Sequence, residues 1–279
     1  MKTNEKTIRV FPVKTKWTPD DDLVFIGDPP LFRPMEDLPV FISCTFTWHI
    51  NECERLFQGW SKYYSDVRLG GPAFDDPGDE FEPGLFVKQG IIHTSRGCSK
   101  NCDWCLVPGR EGNIRELEIK DGWNINDNNL FACSMSHIDR VFEMLRKQKK
   151  SVVFSGGLDA ELMYKDHADL LMSIKLGEAW FACDYPGAIK NLERVANLLP
   201  DISPRKKRCY TLIGFNGESI KSAKTRLETV YKMGFWPYAM LYRSPTISKR
   251  NSWGKDWLNL QNIWCRPARF KTVMKDKAA

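Results

Sequence analysis

The run HTSRGCSKNCDWC, residues 93–105, places three cysteines in one short stretch with the spacing Cys-x3-Cys-x2-Cys. Loop-forming residues, among them Gly97 and Asn101, lie within the run, so we predict a loop here rather than a helix or a strand. A loop can aim several thiols at one point, and thiolates select zinc, copper(I) or iron-sulfur clusters. The sequence therefore predicts a metal centre with Cys98, Cys102 and Cys105 as ligands.

The number of cysteines bears on which metal they bind. A structural zinc normally takes four protein ligands, so zinc would need a fourth ligand from another part of the chain. A four-iron cluster held by three cysteines would instead keep one iron open to a small molecule. Both kinds of metal centre are compatible with the spacing alone.

The spacing resembles that of the radical SAM superfamily. The stretch from Thr94 to Pro108 is similar to the branch that includes cobalamin-dependent radical enzymes and methylthiotransferases, through its Ser-Arg-Gly-Cys lead-in and its Val-Pro continuation. The resemblance implies a [4Fe-4S] cluster on the three cysteines, with S-adenosylmethionine bound to the open iron. It also implies that Trp104, the residue before the third cysteine, packs near the adenine.

The composition is typical of a packed soluble protein, with 279 residues and a hydrophobic share of 42%. No run of roughly 18 apolar residues occurs, so we expect no membrane span, and the polar N-terminus lacks the apolar core of a signal peptide. Nine cysteines without a secretory signal predict a reducing cytoplasm. The net charge of +6 does not by itself indicate nucleic acid.

Apolar runs alternate with helical patterns through the middle of the chain. We predict six strands, over residues 86–93, 129–133, 151–154, 179–183, 209–214 and 236–242. Ser136 with Asp139 is the capping-box pattern expected to open the first of the intervening helices. Strands that alternate with helices predict an α/β fold with a parallel sheet. The resemblance implies the open six-unit (β/α)6 partial TIM barrel of radical SAM enzymes.

The chain divides into three predicted regions: a small α/β N-terminal region over 1–85, the radical SAM core over 86–245, and a basic, aromatic C-terminal tail over 246–279. In the first region we predict strands at 23–27, 40–46 and 66–72, and a helix over 51–64. The tail combines aromatic and basic residues, which could bind RNA. We favour the alternative that it is an amphipathic plug under the open barrel.

The N-terminal region resembles, in its position, a truncated cobalamin-binding domain. The Asp-x-His-x-x-Gly motif that supplies the cobalt ligand is not present, since His49 is followed by Ile50 and Asn51. We therefore do not expect cobalamin as a cofactor. The favoured alternative for this region is a cap over the barrel.

α/β folds place their chemistry at the carboxyl ends of strands, and two of three candidate segments for cofactor binding follow a predicted strand. The three segments carry the candidate residues, namely Asp127, Asn128 and Asn129 before strand two; Gly156, Gly157 and Asp159 after strand three; and Gly214 with Glu218 after strand five. By resemblance, the first could bind the methionine amino group and the last is similar to an adenine-side turn. Tight turns and helix caps are the structural alternative for these glycines and acids.

Three further residues complete the candidate site. Cys133 and Cys183 fall near carboxyl ends of predicted strands, where a thiol could donate a hydrogen atom to a substrate radical. Arg243 follows strand six and could hold a carboxylate or a phosphate. The cysteines outside these candidates are expected to be core residues.

By resemblance, the chain is an enzyme in which a reduced cluster cleaves S-adenosylmethionine, and the 5'-deoxyadenosyl radical abstracts hydrogen from a substrate. An electron donor such as flavodoxin or ferredoxin is the implied partner. RNA is the leading substrate candidate, with a peptide or a small metabolite as alternatives. A zinc-stabilised nucleic-acid-binding protein without catalysis is the alternative from another class, and its affinity would fall steeply with salt.

Overall fold

The computed structural model describes residues 6–33, 36–74, 81–244 and 253–276, except for the side chain of Asp276. The chain forms two compact units, Met1–Ile92 and His93–Ala279. Both contain parallel strands and helices, so the predicted α/β class is confirmed. No helix among the described residues is long and apolar enough to cross a membrane.

The first unit is a parallel sheet with one long helix. Its elements are β1 (Ile8–Phe11), β2 (Val24–Ile26), β3 (Val40–Ser43), α1 (Ile50–Trp60), β4 (Val67–Gly70) and β5 (Ile91–Ile92). The first four strands are ordered β2-β1-β3-β4, and all three neighbouring pairs are parallel. Three predicted strands and the predicted helix are found here, but β1 was missed.

Burial explains both the success and the omission in this unit. Helix α1 buries Cys53, Leu56 and Trp60 on one face, as its periodicity predicts. Strand β1 contains Arg9, which interrupts the apolar run and hides the strand from pattern analysis. In the structure Arg9 is buried and forms an ion pair with Asp21.

The second unit alternates strands with helices. Its elements are β6 (Ser95–Arg96), α2 (Val107–Glu111), β7 (Arg115–Glu116), β8 (Asn124–Ile125), α3 (Met135–Arg146), β9 (Val152–Leu158), α4 (Lys165–Met172), β10 (Leu176–Ala182), α5 (Ile189–Leu198), β11 (Lys207–Ile213), α6 (Ile220–Lys232), β12 (Trp236–Leu241), α7 (Lys255–Trp264) and α8 (Pro267–Asp276). The larger sheet of this unit has the order β12-β11-β10-β9-β8. The pairs from β8 to β12 are parallel. The division between the units falls at the end of β5.

The two faces of this sheet differ in their side chains. On one face Phe154 is buried and contacts Phe142 of α3, with ring centroids 5.7 Å apart. The other face carries Ser155, Trp180 and Tyr210, which are only half-buried. Since parallel sheets normally bury apolar residues on both faces, this polar and aromatic face is unusual.

Two of the predicted strands were wrong in extent or position. The first strand covers only β5 instead of residues 86–93. Residues 130–132, predicted within strand two, form a 3-10 helix, and the strand is β8, five residues upstream of that turn. A strand of two residues that begins with an asparagine leaves no detectable periodicity. Asp127 therefore follows the carboxyl end of β8, whereas it was predicted to precede strand two.

The predicted cap of helix α3 was also wrong by two residues. Ser134, not Ser136, is the N-cap, and its Oγ accepts a hydrogen bond from the His137 backbone N–H at 3.3 Å. Both serines precede the same apolar pattern, so the sequence alone did not separate them.

The tail predicted over 246–279 is described from residue 253 to 276. Trp264 and Phe270 are buried and stack with ring centroids 5.7 Å apart. They share a core cluster with Ile213 and Ala239 of the sheet. These two aromatic residues of the tail therefore pack as core of the second unit.

We predict that Ser134→Ala lowers the free energy of unfolding by about 1 kcal/mol, because the change removes a helix N-cap. Ser136→Ala is the matched control and should change it by less than about 0.5 kcal/mol. Urea denaturation followed by circular dichroism measures both. A larger effect at Ser136 than at Ser134 would contradict the assigned cap.

Candidate functional site

The three predicted ligands lie in the loop between β6 and α2, which we call the cysteine loop (residues 97–106). Cys98 and Cys102 are half-buried, whereas Cys105 is exposed. The Cys105 backbone N–H donates to the Cys102 carbonyl oxygen at 2.9 Å, which closes a turn. Among the residues that the structure describes, no three His, Cys, Asp or Glu side chains are placed to hold one metal ion. The thiols thus share a loop without converging on one point.

A buried carboxylate holds the entry to the cysteine loop. Asp127 is 1% exposed and accepts hydrogen bonds from the Thr94 backbone N–H at 2.6 Å, the Thr94 hydroxyl at 2.6 Å and the Ser95 hydroxyl at 2.9 Å. Burial raises the pKa of Asp127, and these donors oppose the rise. A buried carboxylate with three donors fixes the path of the chain that leads into the loop.

The next two residues bind the loop itself. Asn128 Oδ1 accepts a hydrogen bond from the Gly97 N–H at 2.9 Å. Asn129 Nδ2 lies 3.5 Å from Cys98 Sγ and donates to it, and it also donates to Asp159 Oδ2 at 3.2 Å. Three consecutive side chains after β8 therefore bond successive parts of the chain from Thr94 to Cys98, a role that was not predicted from the sequence.

Lys100 connects the cysteine loop to the end of β9. Its Nζ lies 2.8 Å from Asp159 Oδ2 and 2.8 Å from Glu161 Oε2. Its backbone N–H donates to Cys98 Sγ at 3.4 Å. Cys98 thus receives two N–H donors, and a cation lies between Cys98 and Cys102 in the chain. The sequence analysis missed Lys100, because its partners are 59 and 61 residues away.

The two candidate glycines of β9 have different surroundings. A Cβ at Gly156 would lie 2.0 Å from the Asp127 carbonyl oxygen, so Gly156 lets β9 approach the segment that holds the loop. Gly157 has a φ of +105° and open space where a Cβ would be. Close packing therefore accounts for Gly156, whereas Gly157 is open to a ligand.

Trp104 extends the cysteine loop toward the ends of β10 and β11. Asp184, after β10, accepts a hydrogen bond from the Leu212 N–H at 3.0 Å, and the Trp104 side chain acts to lower the pKa of this carboxyl group. The Trp104 ring lies 5.9 Å from Tyr185 and 5.5 Å from Phe215 between centroids. Burial raises the pKa of Asp184. The half-buried indole is thus held in an aromatic group beside the thiols.

Gly214 and Glu218 form a closed turn after β11. Glu218 Oε2 accepts from the Gly214 N–H at 3.1 Å, and Oε1 accepts from Arg226 at 2.6 Å. Arg226 also donates to the Cys183 carbonyl oxygen at 2.7 Å. These bonds support the structural alternative for Glu218, and its predicted contact with adenine stays a prediction.

The remaining candidates are Cys183, Cys133 and Arg243, which differ from one another in burial. Cys183 is fully buried, and burial raises its pKa to about 12. Cys133 is half-buried, with a pKa raised by burial to about 11. Both are therefore protonated thiols at neutral pH. Arg243 is exposed. The hydrogen-donor role of the cysteines and the anion-binding role of Arg243 stay predictions.

No protein-family model matches the chain, and no curated protein matches it either.

We predict that Asp127→Asn lowers the free energy of unfolding by about 2 kcal/mol or more, because an amide presents N–H groups to donors that need an acceptor. Asp103→Asn, at an exposed position of the same loop, is the matched control and should change little. Urea denaturation compares the two variants. Equal effects at the two positions would contradict the role of the buried carboxylate.

Alkylation of the folded protein, prepared without iron, tests the burial of the thiols. We predict that iodoacetamide modifies Cys105 first, since it is exposed, and modifies Cys183 and Cys209 only after unfolding, because both are fully buried. Peptide mass spectrometry over time gives the order. Rapid modification of Cys183 in the folded chain would contradict the structure.

Proposed function

We propose that the protein is a radical SAM enzyme that carries a [4Fe-4S] cluster on Cys98, Cys102 and Cys105. The observation that carries the proposal is the set of bonds between the cysteine loop and the carboxyl ends of parallel strands. Beyond β8, Asp127 bonds the residues that lead into the loop and Asn128 bonds Gly97 within it. Lys100 pairs with Asp159 beyond β9, and the Trp104 ring contacts Tyr185 beyond β10. Catalytic loops of α/β proteins occupy this edge.

The donor set fits an iron-sulfur cluster. Cysteine thiolates are the characteristic ligands of such clusters, and hydrogen bonds to the sulfurs tune the reduction potential. Each thiolate binds a different iron of the cluster, so the three thiols need not meet at one metal ion. Two N–H groups already donate to Cys98 Sγ, from Lys100 and Asn129. Because thiols must lose their protons to bind metal, the raised pKa of Cys102, caused by burial and then by Cys105, predicts that loading releases protons.

A buried acceptor beside the loop fits the ammonium group of S-adenosylmethionine. Asn129 is 4% exposed, and its Oδ1 has no hydrogen-bond partner among the described residues. Buried polar atoms are rarely left unpaired, so a ligand with an N–H donor would complete this one. Gly157 leaves open space on β9, and Trp104 with Phe215 offers aromatic surface for the adenine.

The strand order supports an open (β/α)6 partial barrel as the fold of the proposed enzyme. From β8 to β12, each strand lies beside the next one in the chain, with a helix between them. Such an arrangement would enclose the polar face of the sheet and help to exclude water from a reactive intermediate.

The bound cluster would supply one electron, obtained from a flavodoxin or ferredoxin, to cleave S-adenosylmethionine to methionine and a 5'-deoxyadenosyl radical, which takes a hydrogen atom from the substrate. The residues of the chain hold and orient the cofactors. The nine cysteines are free thiols, which favours a reducing cytoplasm as the location of the proposed enzyme.

Anaerobic purification with iron and sulfide analysis tests the proposal. We expect about four irons per chain, and 5'-deoxyadenosine after reduction with S-adenosylmethionine. Cys102→Ala should lose both, because two thiols do not hold the cluster. Cys265→Ala, a half-buried cysteine at the end of α7, is the matched control and should keep both.

One zinc per chain and no iron after reconstitution would overturn the proposal. That result would favour the zinc-stabilised nucleic-acid-binding protein instead.

A further inference from the structure

The polar face of the second unit's sheet has an aromatic layer. Trp180 and Tyr210 stack with centroids 4.3 Å apart, and Tyr238 contacts both rings edge-on at 5.8 and 6.1 Å. The Tyr210 hydroxyl donates to the Ser155 carbonyl oxygen at 3.0 Å, across the intervening strand. All four residues are half-buried. The rings therefore form a rigid surface that stays partly accessible.

Carboxamides lie on the same face, next to the aromatic layer. The Ser155 hydroxyl donates to Asn124 Oδ1 at 2.6 Å and lies 3.3 Å from Asn126 Oδ1. The shorter bond commits the Asn124 oxygen to Ser155. Its Nδ2 makes no hydrogen bond within the described part of the chain and is not among the buried unpaired atoms. Asn124 thus presents an accessible N–H donor pair at the edge of the layer.

Arg208 lies on the same face, and not all of its N–H donors have a partner within the part of the chain that the structure describes. The Arg208 guanidinium lies 4.7 Å from the Trp180 ring and 5.4 Å from the Trp236 ring. Its ion-pair partner is Glu178, at 4.0 Å, and its buried Nε has no partner among the described residues. The side chain is 13% exposed. A guanidinium carries five N–H donors, so Arg208 retains capacity for an anionic oxygen.

A purely structural filling of the sheet face does not account for these groups. Interior layers of closed barrels consist mainly of branched apolar side chains. A buried N–H without an acceptor costs free energy, and the Nε of Arg208 is such a group among the described residues. Arg208 and Tyr210 are two residues apart on the same face of β11, so their Cα atoms are roughly 7 Å apart. This separation suits a ligand with a ring and a separate anionic group.

We propose that this face, defined by Asn124, Ser155, Trp180, Arg208 and Tyr210, binds a nucleotide. The base stacks on the aromatic layer, the Asn124 N–H donors bond an acceptor on the base edge, and Arg208 binds the phosphate. The ligand is a free mononucleotide or one residue of a single-stranded RNA. Arg208 is the second residue of β11 and lies at the opposite end of that strand from the Gly214 turn. The ligand is therefore proposed as a bound nucleotide, and its binding does not require the cluster.

Isothermal titration of the full chain, without S-adenosylmethionine, tests the site. The probes are UMP, CMP, GMP and a six-residue single-stranded RNA without adenine, so that the adenine site proposed beside Trp104 does not contribute. We expect at least one probe to bind. Asn124→Ala should weaken it about fivefold and Arg208→Gln about tenfold, values typical of a lost hydrogen bond and a lost charged contact.

Arg205→Gln is the matched control for charge, because Arg205 is an exposed arginine three residues before Arg208. It should leave the affinity for the mononucleotides unchanged. Arg208→Lys keeps the charge without the planar fork and should lie between the wild-type chain and Arg208→Gln. Thermal unfolding of each variant verifies that it is folded.

Binding of a mononucleotide with the expected losses supports a free nucleotide, and binding of the RNA alone with the same losses supports a strand. The inference is overturned if no probe binds at millimolar concentration, or if folded Asn124→Ala and Arg208→Gln chains bind like the wild-type chain. Cleavage of S-adenosylmethionine without binding of any probe would overturn this inference and leave the proposed function intact. If a probe binds with the expected losses but the chain takes up no iron after reconstitution, the proposed function is overturned and this inference is supported.

Discussion

The hydrogen bonds between Asp127 and the Thr94–Ser95 backbone and hydroxyls are the interaction on which the site depends. They join segments 33 residues apart in a fully buried setting, where an unmet carboxylate would be costly. Asn128 and Asn129 extend the same pattern to Gly97 and Cys98. The loop thus owes its place to a short polar segment, whereas apolar packing forms the rest of the core. Loss of one of these acceptors would leave several buried donors unpaired at once.

Charge distribution around the loop follows from the same framework. Lys100 lies between Cys98 and Cys102 in the chain, and its positive charge is paired with the carboxylates of Asp159 and Glu161. On the other side, the Trp104 ring contacts Tyr185 and Phe215, and Arg226 bonds both the Cys183 carbonyl oxygen and Glu218. These contacts are short, charged or partly buried, and charge-assisted hydrogen bonds of this kind are stronger than neutral ones.

The sequence predicted elements whose patterns are local. The strands β9 to β12 follow from short apolar runs and the helices between them from apolar periodicity, and the cysteine spacing defines the loop. Strand β8 escaped prediction because it has two residues, and β1 because Arg9 lies within it. Contacts such as Lys100 to Asp159 depend on tertiary folding and leave no local pattern. The contrast between Gly156 and Gly157 likewise depends on which backbone lies opposite each residue.

The polar face of the sheet shows what sequence periodicity leaves out. The alternation of Phe154 with Ser155, and of Phe181 with Trp180, is visible in the sequence. An aromatic residue is predicted to be buried on either face, however, so the pattern does not identify the face that carries Trp180 as partly accessible. Only the structure separates the helix-covered face from the face with Arg208 and its unpaired nitrogen. The cysteine loop and this face belong to the same unit of the chain, and each has unmet hydrogen-bonding capacity that a ligand would fill.

Electron paramagnetic resonance of the anaerobically reconstituted, reduced protein tests the central claim most directly. We expect the signal of a reduced four-iron cluster. This signal should change when S-adenosylmethionine is added, because the small molecule would bind the open iron. No iron signal, or a signal that S-adenosylmethionine leaves unchanged, would contradict the central claim.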